Sequence, residues 1–136
     1  MKTNLHRICL GVVTLVFAVA SLPGAEPLVP DLQNVVKGVG ADVNPNGAVR
    51  WEKDVKGRPA LFTRAAIWLD GVNFSEGTIE CDILGKSNPR GSNFPGIAFH
   101  GKDSSVFECV YFRPFNFRAE NPENASHAVQ YIAHPQ

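Results

Sequence analysis

Residues 105–112 read Ser-Val-Phe-Glu-Cys-Val-Tyr-Phe, and this is the longest strand pattern in the chain. Alternate positions place Phe, Cys and Tyr side chains on one face and Glu, Val and Phe side chains on the other. Because apolar groups occur on both faces, the pattern predicts a central strand that is covered on both sides. Pro114 follows closely and cannot continue a hydrogen-bonded ladder, so the strand is expected to end there.

Further strand patterns lie on either side of this segment. Residues 96–100 and 127–132 are short and rich in apolar residues. Residues 77–84 alternate, which predicts Ile79, Cys81 and Ile83 on one face of a strand. The strands near residues 79, 98 and 110 are expected to form an antiparallel meander. Short strands separated by turns, in a chain with 12 Gly and 10 Pro, indicate an all-β sandwich or barrel.

The N-terminus has the three parts of a secretory signal peptide. Lys2 and Arg7 provide the positive charge, and residues 8–20 form the apolar run. Small residues follow, so we expect cleavage after Ala20, with Ala25 as the second candidate. A membrane-spanning helix needs about 20 apolar residues, and this run is shorter. Residues 1–25 are therefore predicted to be a signal-peptide helix that directs the chain to a secreted or periplasmic location, with no stable membrane span after processing.

The rest of the chain forms one small domain. Residues 26–48 read as an extended lead-in, and residues 49–136 carry the strand patterns. Lys2 and Arg7 are two of the 13 basic residues, so removing the leader leaves 11 basic against 13 acidic residues, a net charge of −2. These charges are interspersed, which argues against a nucleic-acid partner.

Four stretches carry a resemblance to the concanavalin A-like lectin/glucanase superfamily. They are Phe74-x-x-Gly77-Thr78-Ile79-Glu80-x-Asp82, Gly96-Ile97-Ala98-Phe99-His100, Val110-Tyr111-Phe112-Arg113-Pro114-Phe115-Asn116 and Ala128-Val129-Gln130-Tyr131-Ile132. The chain most resembles secreted bacterial proteins similar to family-16 glycosidases and 3-keto-disaccharide hydrolases. The resemblance implies an antiparallel jelly-roll β-sandwich of more than a dozen strands. About seven strands are expected here, so residues 49–136 are predicted to be roughly half a sandwich and the chain a fragment.

Glu80 and Asp82 are the first candidates for catalysis, with Glu108 as the third. Two residues apart on one strand, the carboxylates of Glu80 and Asp82 are expected to point to the same face. Glycosidases use such a carboxylate pair as acid and as nucleophile or base. The resemblance implies a further acidic residue along this strand, but residues 83–85 read Ile-Leu-Gly. A solvated polar face is the alternative interpretation of the pair.

A second group is a candidate ligand-binding platform. The residues are His100, Tyr111, Arg113, Phe115, Asn116 and Arg118. Sugar sites combine a flat apolar surface with a few convergent polar groups. Arginine presents rigid forked donors that suit hydroxyls or a carboxylate. The alternative is that the aromatic rings belong to the core and that the arginines pair with acidic residues.

Cys81 and Cys109 are the cysteines that remain after processing. A disulfide between them is considered but not favoured, because an intervening strand would hold their Cα atoms too far apart. His100, His127 and His134 lack the short spacing of metal ligands, so neither a metal nor another cofactor is expected.

The sequence therefore supports three hypotheses. The first is an exported carbohydrate-associated module that binds glycan as its partner. The second is a glycoside hydrolase on the same fold, and the third is a non-catalytic structural fragment of a longer secreted protein. The oligomeric state is left open.

Overall fold

A computed structural model describes residues 27–88, 94–103 and 105–135, and the backbone of residues 11–14. The strands are β1 (Gly11–Thr14), β2 (Ala41–Val43), β3 (Val49–Val55), β4 (Arg58–Thr63), β5 (Ile67–Leu69), β6 (Asp82–Gly85), β7 (Gly96–Asp103), β8 (Val106–Phe112) and β9 (Val129–His134). Two short helices, α1 (Leu32–Val36) and α2 (Pro122–Ser126), and a 3₁₀ turn at Pro114–Asn116 complete the elements. The chain is therefore mostly β, as predicted.

The strands form three antiparallel sheets. The four-stranded sheet has the order β3-β4-β1-β6, β2 pairs with β5, and the three-stranded sheet has the order β7-β8-β9. Residues 105–112 correspond to β8, which is the central strand of the three-stranded sheet. Its neighbours β7 and β9 come from the segments predicted on either side of it. The central position of this strand is confirmed.

The predicted meander is wrong for the strand near residue 79, which does not pair with β7. The strand expected over residues 77–84 forms only at Asp82–Gly85, and it pairs with β1 in the four-stranded sheet rather than with β7. Residues 78–81 form no strand, and Gly77 has a φ of 140°, which interrupts the extended backbone before them. An alternating pattern predicts which side chains share a face, but the partner strand is chosen by tertiary packing.

The lead-in over residues 26–48 is not wholly extended, because it contains helix α1 and strand β2. The Asp31 carboxylate accepts hydrogen bonds from the backbone N–H groups of Gln33 (2.9 Å) and Asn34 (3.2 Å). This is the bonding of an N-cap residue, which satisfies donors that the helix leaves unpaired. At the other end Gly38 adopts a φ of 74°, a left-handed conformation that terminates helices and favours glycine.

Helix α1 packs against strands of the β structure, and a cluster of buried apolar residues lies between them. Val35 from α1, Ala41 from β2 and Leu61 from β4 are buried together. The partly buried apolar residues around them are Leu32, Val36, Val43, Val49, Ile67 and Leu69. Burying apolar surface of this kind is the main favourable contribution to folding, so a five-residue helix persists here through packing rather than through its length.

The predicted signal-peptide helix is not formed at the described residues of the leader. Residues 11–14 form strand β1, which pairs with β4 on one side and β6 on the other. Val12 and Val13 are β-branched, a residue type that favours strands, and two neighbouring strands satisfy the backbone groups. Both cleavage candidates, Ala20 and Ala25, lie outside the described residues. Among the residues that the structure describes, no helix is long and apolar enough to cross a membrane.

Trp68 of β5 packs against the three-stranded sheet. Its ring meets Phe107 of β8 edge to face, with the centroids 5.8 Å apart. A Cβ at Gly101 of β7 would lie 2.3 Å from the Cζ3 atom of Trp68, so only glycine allows the strand to approach the ring this closely. This contact fixes the end of the β7–β8 hairpin, which carries the candidate site.

Candidate functional site

The hairpin of β7 and β8 contains a bulge. Phe99 is paired with Glu108 and Asp103 with Val106, so β7 has two more residues than β8 between these pairs. His100 lies in this interval with a φ of 51°, a left-handed conformation that is uncommon for residues other than glycine. Bulges redirect side chains beside functional sites. Here the bulge places the imidazole of His100 next to Glu108.

The Glu108 carboxylate is bound from two sides. The Tyr131 hydroxyl of β9 donates a hydrogen bond of 2.9 Å to Oε2, and Nδ1 of His100 lies 3.2 Å from Oε1. We call His100, Glu108 and Tyr131 the Glu108 cluster. Tyr131 is paired with Val110, two residues along β8 from Glu108, so this contact is a diagonal one across neighbouring strands. The cluster therefore joins all three strands of the sheet.

These contacts shift the acid–base properties of two members. The hydrogen bond with His100, followed by that from Tyr131, holds the pKa of Glu108 below its ordinary value. Conversely, the bond to the Glu108 carboxylate raises the pKa of Tyr131. Both shifts favour a negative carboxylate beside a neutral phenol at neutral pH. Glu108 is therefore suited to accept hydrogen bonds rather than to act as a proton donor.

Aromatic rings surround the cluster. The ring of Phe74 lies 6.4 Å from the His100 ring and 6.5 Å from the Phe99 ring, measured between centroids. Tyr131 is 59% exposed and Val129, on the same face of β9, is 49% exposed. This part of the sheet thus presents apolar surface and hydrogen-bonding groups to solvent together.

An apolar cleft lies on the same face of the three-stranded sheet. Its volume is about 540 Å³. The residues that line it are Ile79, Cys81, Ile83, Leu84, Gly85, Pro95, Ile97, Phe112, Pro114 and Phe117. Phe112 and Glu108 are four residues apart on β8, so their side chains leave the strand on one face.

Burial, aided by the neighbouring Asp82 charge, raises the pKa of the Cys81 thiol, which keeps it protonated and unreactive at neutral pH.

The predicted binding platform divides into separate parts. Arg113 lies with its Cζ atom 5.5 Å from the centre of the Phe94 ring and 5.9 Å from that of Tyr111. Its Nη2 donates to the Tyr111 hydroxyl at 3.3 Å, while Tyr111 donates to Gln130. Phe115 contacts Phe94 with the ring centroids 6.0 Å apart. Tyr111, Arg113 and Phe115 therefore do meet in one aromatic group, with Phe94 as their shared neighbour.

Arg113 is held by rings rather than by a carboxylate. Its Nε atom is buried and has no hydrogen-bond partner among the described residues. Cations are attracted to the faces of aromatic rings, which accounts for its position. Among the described residues Arg113 forms no ion pair with Glu108, whose carboxylate contacts His100 and Tyr131 instead.

The other members of the predicted platform lie elsewhere. Asn116 is buried in the 3₁₀ turn, where its backbone N–H donates to the Arg113 carbonyl at 2.8 Å. Arg118 is exposed beyond the turn. His100 belongs to the Glu108 cluster, and Glu108 and Tyr111 alternate along β8, so their side chains leave opposite faces. The six residues predicted for ligand binding are therefore not one surface.

The three predicted catalytic carboxylates lie in different elements. Glu80 is exposed in the segment before β6, and Asp82 begins that strand. Asp82 forms an ion pair with Arg58 of β4. Glu108 belongs to the three-stranded sheet, where its carboxylate contacts Tyr131 and His100. The expectation that Glu80 and Asp82 lie on one regular strand is wrong, because the strand starts only at Asp82.

Cys81 and Cys109 are not joined in a disulfide. Cys109 is a buried residue of β8, whereas Cys81 lines the apolar cleft. The described residues contain no group of three or more His, Cys, Asp and Glu side chains that is placed to hold a metal ion.

Two residues beside the cluster were missed as site residues, namely the exposed Tyr131 and the half-buried Phe74. Both occur in the stretches that carry the family resemblance. In the structure Tyr131 alternates with half-buried neighbours along β9, which leaves its ring exposed. Its contact with Glu108 depends on the register of β8 and β9, which the sequence does not specify.

Comparison of the chain with protein-family models, with curated proteins and with solved structures found no match.

Proposed function

We propose that this protein is an exported, carbohydrate-associated β-sandwich module of the jelly-roll type that binds glycan. The ligand contacts the exposed face of the three-stranded sheet at the Glu108 cluster. The observation that carries this proposal is the oriented Glu108 carboxylate beside the exposed ring of Tyr131. Sugars offer both hydroxyl donors and apolar C–H faces, so such a pair of groups fits them.

The geometry suits Glu108 to accept hydrogen bonds from the hydroxyl groups of a ligand. An ionised carboxylate has about four lone-pair positions, and His100 and Tyr131 occupy two of them. The remaining positions suit donors from a neutral sugar. Hydrogen bonds to a charged acceptor are about twice as strong as those between neutral groups. The negative charge of Glu108 also favours neutral or basic sugars over acidic ones.

Binding is favoured over hydrolysis for this site. A glycosidase needs a protonated carboxyl group with a raised pKa and a second carboxylate across the scissile bond. The pKa of Glu108 is lowered, and its partners are an imidazole and a phenol. The predicted leader supports export to a secreted or periplasmic location, and polysaccharides occur there.

A glycan array with neutral β-linked oligosaccharides tests the proposal. Wild-type protein is expected to bind at least one class of neutral oligosaccharide, and Tyr131→Ala should weaken that binding at least about tenfold by removing the stacking ring. Phe117→Ala is the matched control for the loss of an exposed ring, because Phe117 has a similar exposure (55%) and lines the cleft on the same face without contacting Glu108. Binding that is absent in the wild type, or equal in the two variants, would overturn the assignment.

A further inference from the structure

Strand β1 occupies the middle of the four-stranded sheet, although it belongs to the apolar run of the predicted leader. Val12 is paired with Phe62 of β4 and with Leu84 of β6. Val13 is paired with Leu61 and Ile83 in the same way. The central strand position is thus lined on both sides by apolar residues.

Removal of β1 would leave this sheet divided. Both β4 and β6 run antiparallel to β1, so they are parallel to one another with one strand between them. Neighbouring strands lie about 4.8 Å apart, so β4 and β6 are about 9–10 Å apart, which is too far for direct hydrogen bonds. Release of the cleaved leader fragment would therefore expose two facing rows of unpaired backbone N–H and C=O groups. Unpaired rows of this kind promote pairing with another strand.

We propose that processing leaves a strand-binding slot between β4 and β6, which one extended apolar segment of a partner polypeptide fills. The segment adds antiparallel to both strands, over at least the four positions that residues 11–14 occupy. This inference rests on the proposed processing of the leader. It is independent of glycan binding, because the Glu108 cluster lies on the three-stranded sheet and the slot lies in the four-stranded sheet.

The current occupant defines the chemistry of the partner. Its sequence is Gly-Val-Val-Thr, with two β-branched apolar residues in the centre and no charge. The facing residues at those two positions are Leu61, Phe62, Ile83 and Leu84. The partner segment should therefore be uncharged and rich in Val or Ile. Main-chain hydrogen bonds supply the affinity in this mode of recognition, and alternate side chains supply the specificity.

The full-length chain provides the test. A protease recognition sequence is inserted after Ala20, the folded chain is cut, and native mass spectrometry follows the leader fragment. A labelled peptide of residues 10–15 with terminal lysines for solubility is then added in excess. We expect the fragment to remain bound at one per chain after cutting and the labelled peptide to replace it at the same ratio.

Two peptide variants distinguish strand addition from nonspecific apolar binding. Val12→Pro removes a backbone N–H, so it should bind about tenfold or more weakly. Val12→Thr keeps the backbone and the β-branch and should bind within about threefold of the parent peptide. The inference is wrong if the cut chain loses its fragment and stays monomeric without binding the peptide. It is also wrong if a second copy of the chain fills the slot, or if both variants bind alike. Glycan binding by the same cut chain separates this inference from the proposed function.

Discussion

The Glu108 side chain remains charged on an exposed face because two neighbours are arranged around it. A bulge turns His100 toward one oxygen, and the register of β9 brings the Tyr131 hydroxyl to the other. Each contact restricts the rotation of the carboxylate, so the group presents its remaining lone pairs in a fixed direction. A preorganised acceptor loses less conformational entropy when a ligand binds.

Titration of the tyrosines tests the contact between Tyr131 and Glu108. The phenol of Tyr131 should ionise above its ordinary pKa of 10.0, because the neighbouring carboxylate stabilises the protonated form. Glu108→Gln should lower that midpoint toward the ordinary value. Absorbance at the tyrosinate band measures it, and Tyr131→Phe assigns the transition, since the chain has only two tyrosines. Identical curves for wild type and Glu108→Gln would show that the bond does not form in solution.

At the scale of elements, the sequence carries signals for the two ends of helix α1 but does not decide that the segment is helical. The signals for it are present, because Asp31 is an N-cap residue and Gly38 lies just beyond the end. The apolar residues between them also suit a strand, and a segment this short carries too little periodicity to decide. Contact with β4, which is distant in the sequence, stabilises the helix.

Substitution of Asp31 tests this account of α1. Asp31→Ala removes the acceptor for two backbone N–H groups, so the free energy of unfolding should fall by about 1 kcal/mol. Asp31→Asn retains a side-chain oxygen and should cost much less. Denaturant unfolding of the full chain measures both values. Equal losses in the two variants would point to the charge rather than to the cap.

Strand β8 was predictable where β6 was not, for a physical reason. The β8 pattern is long and apolar on both faces, which predicts a central strand, and in the structure its residues are half-buried except for the buried Cys109. The segment at residues 77–84 alternates cleanly, but alternation does not select a partner. Similarly, Glu80, Asp82 and Glu108 have suitable chemistry for a glycosidase, yet pairing places Asp82 and Glu108 in different sheets.

At the scale of the whole molecule, the two faces of the three-stranded sheet differ. Trp68 and Phe94 pack against the face that carries Phe107 and Tyr111. On the other face, β9 exposes Tyr131 and its apolar neighbours. An exposed apolar surface with polar groups at its edge is typical of an interaction site. The all-β class followed from turn spacing and alternation, whereas the location of this surface required the register and the bulge.

The most direct test of the proposed binding face is an NMR titration of the full-length chain with a neutral β-linked hexasaccharide. Backbone amide shifts are recorded as the sugar is added. The proposed function predicts that the largest changes occur at His100, Glu108 and Tyr131, with those at Arg113 and Arg118 small. Saturable changes that centre on Arg113, or no changes at all, would contradict the assignment of the glycan site to the Glu108 cluster.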